Sequence, residues 1–347
     1  MVISEKKGNN LIGERTEFRT TRLLLLLTHD CCLKCKYCFV SQSSKRYMSE
    51  HVLLKSVDFL MTSSADVLQL HFFGGEPLML PFKILKKGIM YANKVANAKK
   101  RKLTPILTTN GVLLNEEKVR FFKENNVLLE LSLDGGPGAQ RLNRPQKNGL
   151  PDSYSLIVRN LPIIFKYNTD CQVSMVVSPM TVGRIVDNFS HLVNLGFRNI
   201  FIMIACGVKW SNNDRIVLAR NLIKLRSLYL KLRLKNDIRL QNLTEWFPPF
   251  RMNTEISVDF DGNIYSACIS YLIQNYERKR KFILGNINEI KESMDAFEKK
   301  RLTNEEAMEI IFRENNVTKY LNNTILAGQL MSNFVAYLNN ALANRSF

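Results

Sequence analysis

The chain has 347 residues, 46% of them apolar, and 49 basic against 31 acidic side chains give it a formal charge of +18. That is enough apolar material for one large domain or two modest ones. The run Leu23–Leu27 is too short to span a bilayer, and the start, MVISEKKGNN, has no apolar signal core, so a membrane or secreted protein is disfavoured and a soluble cytoplasmic one expected. Residues 1–20 read as a polar extension. From 21 to 206 short apolar runs alternate with amphipathic stretches. The strands expected are Leu23–Thr28, Val67–Phe73, Leu103–Thr109, Val127–Leu133, Gln172–Val177 and Ile200–Ala205. Helices are expected near 49–62, 82–97, 115–125, 153–166 and 182–195, with Asn115 followed by Glu116 and Glu117 as a helix start. Six strand–helix units in series imply a parallel sheet with right-handed crossovers. A long basic helix is expected near 212–235, and Trp246-Phe247-Pro248-Pro249-Phe250 breaks the pattern like a domain boundary. Glu255–Phe260, Asp261-Gly262-Asn263 and Ile264–Ala267 then read as a hairpin, followed by Phe282–Ile287 and mostly helix.

The chemistry-bearing residues fall at the strand ends. Cys31, Cys35 and Cys38, spaced C-x-x-x-C-x-x-C, follow the first strand, and Gly74-Gly75-Glu76-Pro77 follows the second. Thr109-Asn110-Gly111 ends the third, Ser132-Leu133-Asp134-Gly135 the fourth and Cys206-Gly207 the sixth. In a barrel or partial barrel all would collect on one rim, where active sites form. Three thiolates at this spacing suit a [4Fe–4S] cluster, holding three irons and leaving the fourth open. Seven cysteines in so long a chain, an odd number, argue against a disulfide framework, and Cys171, Cys206 and Cys268 are too scattered for zinc. Cys32 lies out of step and is not expected to be a ligand; Cys171 reads as a core residue.

Jointly these motifs resemble the radical SAM superfamily, in its peptide- and protein-modifying branch with SPASM or twitch C-terminal domains. The resemblance rests on Thr28–Phe39, Phe73–Leu78, Thr109–Gly111, Ser132–Gly135, Leu142-Asn143-Arg144, Asp261–Tyr265 and Leu284–Ile287, in the family's order over about 21–290. It implies an α/β fold: a partial (β/α)6 barrel over 21–242 and a smaller hairpin-plus-helices, twitch-like domain over 243–347. It also implies that Cys31, Cys35 and Cys38 hold one [4Fe–4S] cluster and that S-adenosylmethionine chelates its open iron. Gly74, Gly75 and Glu76 would meet the methionyl ammonium. Ser132 and Asp134 would meet ribose hydroxyls or the amino-acid end, and Arg144 the methionyl carboxylate. Tyr37 would shield the cluster and adenine, and Asn110 belongs to the same cofactor site. Reductive cleavage would give methionine and a 5′-deoxyadenosyl radical able to abstract hydrogen from an unactivated C–H bond.

The chain departs from that pattern at its C-terminal end. Only Cys268 follows residue 206, so auxiliary clusters are not expected. Ile269 stands where sulfatase-maturing members carry an Asp, which argues against formylglycine formation. Cys206 and Cys268 are candidate hydrogen-atom donors, because a thiol S–H bond is weak enough to quench a carbon radical. The expected substrate is a ribosomally made precursor peptide, whose acidic leader the basic surface could attract, with a flavodoxin or ferredoxin as electron donor. The reaction would be epimerisation or a C–H crosslink or other functionalisation. Epimerisation suits a one-cluster enzyme because it is redox-neutral. The alternatives are a small-molecule or nucleotide substrate and a nucleic-acid-binding cluster protein. No nucleic-acid module stands out, and charge runs such as Lys99–Lys102 are usually solvated faces.

Overall fold

A computed structural model describes residues 19–38, 40, 45–147, 152–167, 170–244, 255–266, 280–312 and 315–343. The six strands read from the sequence are present: β1 (Thr20–Leu26), β2 (Val67–Phe73), β3 (Lys102–Thr109), β4 (Leu128–Ser132), β5 (Gln172–Val177) and β6 (Asn199–Ile204). Each pairs in parallel with the next. The connecting helices are α1 (Glu50–Leu60), α2 (Phe82–Ala98), α3 (Glu116–Glu124), α4 (Pro137–Asn143), α5 (Ser153–Tyr167) and α6 (Ile185–Asn194). Their starts follow local chemistry: Ser49 caps α1 by accepting from the Val52 amide, and Asn115 caps α3 by accepting from the Lys118 amide. The short α4, entered through Pro137, was not foreseen; its seven residues carry no amphipathic repeat long enough to read.

Strand alternation separates two faces. Leu23, Leu25, Leu68, Leu70, Phe72, Leu107, Leu129, Leu131, Val173, Met175, Ile200 and Ile202 belong to one core shared with the helices. The alternate residues point the other way, into the interior of the curved sheet. There Leu24 and Leu26 form a small apolar patch of their own with Phe73. Most of their neighbours in register are polar: Arg22 beside Gln69, Thr108 beside Glu130, Glu130 beside Gln172, and Gln172 beside Asn199. A (β/α)8 barrel fills this space with branched aliphatics; here it is half polar.

Beyond α7 (Asn212–Asn236), β7 (Arg239–Leu240) extends the β6 edge in parallel. At the opposite edge β8 (Ser257–Asp259) joins β1 in parallel and continues into antiparallel β9 (Asn263–Tyr265) and β10 (Ile283–Asn286). The expected hairpin is therefore present, as part of one ten-stranded sheet in the order β10-β9-β8-β1-β2-β3-β4-β5-β6-β7. The boundary expected at Trp246–Phe250 lies outside the described residues. Helices α8 (Met294–Lys300), α9 (Asn304–Phe312) and α10 (Asn315–Ala343) complete the chain. The last packs on α7, with Ala327, Phe334, Val335 and Leu338 buried. No helix among the described residues is long and apolar enough to cross a membrane.

Candidate active site

The loop after β1 is built by its own polar residues. Asp30 accepts from the Cys31 amide at 2.9 Å and from Tyr47 Oη at 3.1 Å, and lies 3.3 Å from Lys147 Nζ. Thr28 Oγ1 accepts from the Asp30 amide. His29 Nε2 meets Asp259 Oδ1 at 2.8 Å, both side chains buried, and packs edge-on against Phe260. The start of the cysteine loop is thereby tied to β8. Its outer side is tied to the segment after α4: the Lys34 amide donates to Pro145 O, the Lys36 amide to Asn143 O and the Lys147 amide to Cys32 O.

The glycine loop is packed against the same backbone. The amides of Gly75 and Glu76 donate to Thr28 O and Asp30 O, each at 2.8 Å. Gly74 has φ +130°, and a Cβ there would sit 2.5 Å from Thr28 O; a Cβ on Gly75 would overlap the Asp30 carbonyl. Only glycine permits this approach. Glu76 is wholly buried, and its carboxylate accepts from Thr109 Oγ1 (2.7 Å) and from the amides of Asn110 (2.8 Å) and Leu78 (3.0 Å). Burial pushes this carboxyl above its ordinary range, while the hydrogen bonds oppose the shift. Glu76 thus braces the β2 loop to the β3 loop, and the surface left towards a ligand is glycine backbone.

Asn110 extends the brace to sulfur: its Nδ2 lies 3.3 Å from Cys32 Sγ and 3.6 Å from Cys31 Sγ. The Leu33 amide also donates to Cys31 Sγ, at 3.4 Å. Cys31 and Cys32 are buried, Cys35 is half-buried beside them, and Cys38 is exposed one turn on, its amide donating to Cys35 O. Burial pushes the Cys35 thiol up to about 12. Among the described residues no three metal-ligating side chains are already gathered. Neutral thiols have no attraction for one another, and closure of such a set is driven by the metal that deprotonates it. Three thiols on one loop, with N–H donors aimed at the innermost sulfur, fit an iron–sulfur cluster.

Across the mouth, Asp134 is buried and fully engaged. It accepts from Tyr37 Oη (2.6 Å), Asn143 Nδ2 (2.9 Å) and the Val176 amide (2.9 Å). Arg144 Nε stands 3.1 Å from Asp134 Oδ1, an ion pair not aligned as a hydrogen bond, and the guanidinium lies 5.3 Å from the Tyr37 ring centroid. Asp134, Tyr37 and Arg144 are therefore brought together, with the acid holding the other two in place. Ser132 is half-buried on the interior face of β4, in register with Ser174 of β5. Cys206 is half-buried two residues past β6, its thiol pushed up to about 12 by burial. Cys268 lies outside the described residues. The sequence reading gave no role to Asp30, His29 or Asn143, although His29 and Asp30 directly precede Cys31. Their partners Lys147, Asp259 and Val176 lie far along the chain.

A cysteine loop, a glycine loop and a buried acid–guanidinium pair at the C-terminal mouth of a parallel partial barrel define a class: cluster-bearing enzymes that bind S-adenosylmethionine. Residues 25–220, more than half of the chain, match the radical SAM superfamily model, and the chain belongs to that family. Members use a [4Fe–4S] cluster and S-adenosylmethionine. It is 30% identical over 175 residues to a cysteine-type anaerobic sulfatase-maturating enzyme of Clostridium perfringens, 48% of this chain and 47% of that one. It is 28% identical over 184 residues to the serine-type enzyme of Bacteroides thetaiotaomicron, 51% of this chain and 42% of that one. The matched parts thus span about half the length of these maturases. Among solved structures, anSMEcpe with bound AdoMet and Cp18Cys peptide superposes with TM-score 0.67 at 21% identity, over 88% of this chain and 83% of that one. SuiB of Streptococcus suis, bound to the precursor peptide SuiA, gives 0.54 at 11% identity, over 74% and 61%. At these identities the likeness is one of fold.

Proposed function

We propose that this radical SAM enzyme acts on a ribosomally made peptide, with Cys31, Cys35 and Cys38 holding its cluster. The observation that carries the assignment is the brace from Glu76 through Thr109 and Asn110 to the Cys31 sulfur, which fixes glycine loop and cysteine loop as one unit. A cluster and S-adenosylmethionine held there would supply hydrogen-atom abstraction from an unactivated C–H bond. The protein's own residues do the rest. The backbone of Gly74 and Gly75 offers close approach to the methionyl ammonium, and Ser132 offers its hydroxyl to the ribose. Tyr37, held by Asp134, covers the cluster side. Arg144, charged and held by Asp134, would pair with the methionyl carboxylate. The kinship with maturases and the basic charge support a peptide as substrate, approached through an acidic stretch, with a flavodoxin or ferredoxin as electron donor.

Epimerisation is the reaction favoured within this reading. Cys206 stands at the mouth with its thiol kept protonated, and hydrogen-atom donation requires an S–H bond. Cys268 is the second candidate. The test is anaerobic reaction of the reconstituted enzyme, in deuterated water, with synthetic peptides translated from the short reading frames that flank its gene. Gain of one deuterium supports epimerisation by an exchangeable thiol; loss of two hydrogens points to a crosslink; no peptide change beside steady 5′-deoxyadenosine release overturns the peptide reading. Cys206→Ala and Cys268→Ala should both keep the cluster. If neither lowers product relative to 5′-deoxyadenosine, the thiol-donor role is wrong.

A further inference from the structure

The mouth of the barrel continues downward into a polar interior that the cofactor site does not use. His71 is in register with Leu24 of β1, and Leu24 with Ser257 of β8, so His71 and Ser257 stand on either side of Leu24 on the interior face. Both are buried, at 7% and 0% exposure, and among the described residues His71 Nδ1 and Ser257 Oγ have no hydrogen-bond partner. A buried unpaired polar atom costs about 1–3 kcal/mol, so two in one row call for an explanation.

The other ring nitrogen is committed. His71 Nε2 lies 2.7 Å from Thr108 Oγ1, and that hydroxyl gives its single proton to Glu130 Oε2, also at 2.7 Å. Thr108 can then only accept from His71, which places the ring proton on Nε2 and leaves Nδ1 as a bare acceptor. Burial keeps the ring neutral, its pKa pulled down to about 3, and the nearby Arg22 guanidinium acts in the same direction. Arg22 itself is spent on Gln69 (2.6 Å) and Glu255 (3.3 Å). Glu130, with 18% of its side chain exposed, faces the same interior. The interior therefore presents an imidazole nitrogen that can only accept, a serine hydroxyl that can accept or donate, and one pleat above them the Glu130 carboxyl, which burial pushes above its ordinary range. Leu24, Leu26 and Phe73 lie between them as an apolar floor. Glu130, paired with Thr108, is two residues before Ser132, and His71 is level with Ile106 and Leu128, so the His71–Leu24–Ser257 row lies one pleat below Glu130 and roughly 13 Å below the rim. A group bonded here would anchor the lower end of a substrate that extends up to the mouth.

We propose that His71, Ser257 and Glu130 form the substrate-positioning floor of this enzyme and take a hydrogen-bond-donor group of the substrate, an amide or hydroxyl, in preference to an anionic or purely apolar one. The proposal rests on the barrel being the reaction chamber of the enzyme proposed above. His71 is a positioning residue: it fixes where the substrate lies and takes no part in the bond-breaking step.

Two measurements test it. The first needs no turnover. The iron-loaded protein with S-adenosylmethionine bound, ¹⁵N-labelled in its four histidines, is titrated with acetamide and separately with acetate. The expected result is a bare His71 Nδ1 resonance that moves with acetamide and not with acetate. A protonated Nδ1, no movement with acetamide, or equal movement with both overturns the proposal. The second uses those synthetic peptides and a pair of variants. His71→Asn keeps an acceptor near the Nδ1 position and loses the Thr108 bond; His71→Gln keeps the Thr108 bond and loses the acceptor. Positioning predicts at least a tenfold rise in 5′-deoxyadenosine released per modified peptide for His71→Gln, and a smaller rise for His71→Asn. The reverse order means that His71 is structural and overturns the proposal. A peptide that wild type leaves untouched counts against the peptide reading alone, because the acetamide titration still reports on the floor.

Discussion

Single residues decide whether the cysteine loop can form. Cys35→Ala should abolish both the iron–sulfur absorbance and the cleavage of S-adenosylmethionine; retained turnover would remove Cys35 from the ligand set. Gly75→Ala drives a Cβ into the Asp30 carbonyl, backbone against backbone, where no side chain can swing aside. The expected outcome is a cost of about 1–3 kcal/mol or a displaced loop, read as a lower melting temperature together with lost iron. His71 carries a pH signature. Burial holds its native pKa at about 3 against an ordinary 6.5, so the unfolded chain takes up the proton first. The stability from neutral His71 is thus complete above about pH 6.5 and drains away as pH falls, by up to about 1.4 kcal/mol per unit. Urea midpoints at pH 7, 5.5 and 4.5 should fall more steeply for wild type than for His71→Gln. At this scale the sequence was only partly legible. The sequence sets Cys31, Gly74, Glu76 and Arg144 apart by motif, but that the Glu76 carboxylate braces two loops, and that His71 and Ser257 flank Leu24, could not be read because the partners lie on other strands.

Between elements, the strongest tie is the one carboxylate joining the loops after β2 and β3. Glu76→Ala would strand the Thr109 hydroxyl and the amides of Asn110 and Leu78 in a buried space. At about 1–3 kcal/mol for each unsatisfied group, a loss of at least about 3 kcal/mol is expected in denaturant unfolding, whereas Glu76→Gln should lose less because its carbonyl still accepts. Most strands could be read to within a residue: β2 and β5 match their expected spans, whereas β1 both begins and ends earlier than Leu23–Thr28. Buried on the helix-facing side and bounded by glycines, asparagines and charged helices, they have few alternatives. Pairing across the β1 edge was not readable. Ser257–Asp259 is three residues long, and nothing local distinguishes a strand that adds to the barrel from one that starts a separate domain.

At the scale of the whole molecule, the C-terminal residues serve both edges of the sheet. β8–β10 extend it beyond β1, while the last helix lies on α7, β6 and the turn at Gln241–Leu243. Arg215 Nη1 reaches Asn323 Oδ1 at 3.0 Å, and the Arg226 guanidinium sits 4.1 Å from the Tyr337 ring centroid. Removing residues 315–343 would uncover the α7 face that Phe334, Val335 and Leu338 now bury. Each such side chain contributes roughly 1.5–3 kcal/mol, so the truncated protein should aggregate or melt well below the full chain, as scanning fluorimetry would show. The barrel was legible as a whole because six repeats of one pattern reinforce each other. The role of the last hundred residues was not, because it consists of contacts with elements long past.

The tie between His29 and Asp259 spans 230 residues. On a ribosome emitting roughly 5–20 residues per second, the acid emerges roughly ten to fifty seconds after the histidine. Throughout that interval β1 has an open edge, and the stretch leading into the cysteines is held from one side. The nascent chain therefore presents its thiols on a loop more accessible than the finished enzyme ever offers again.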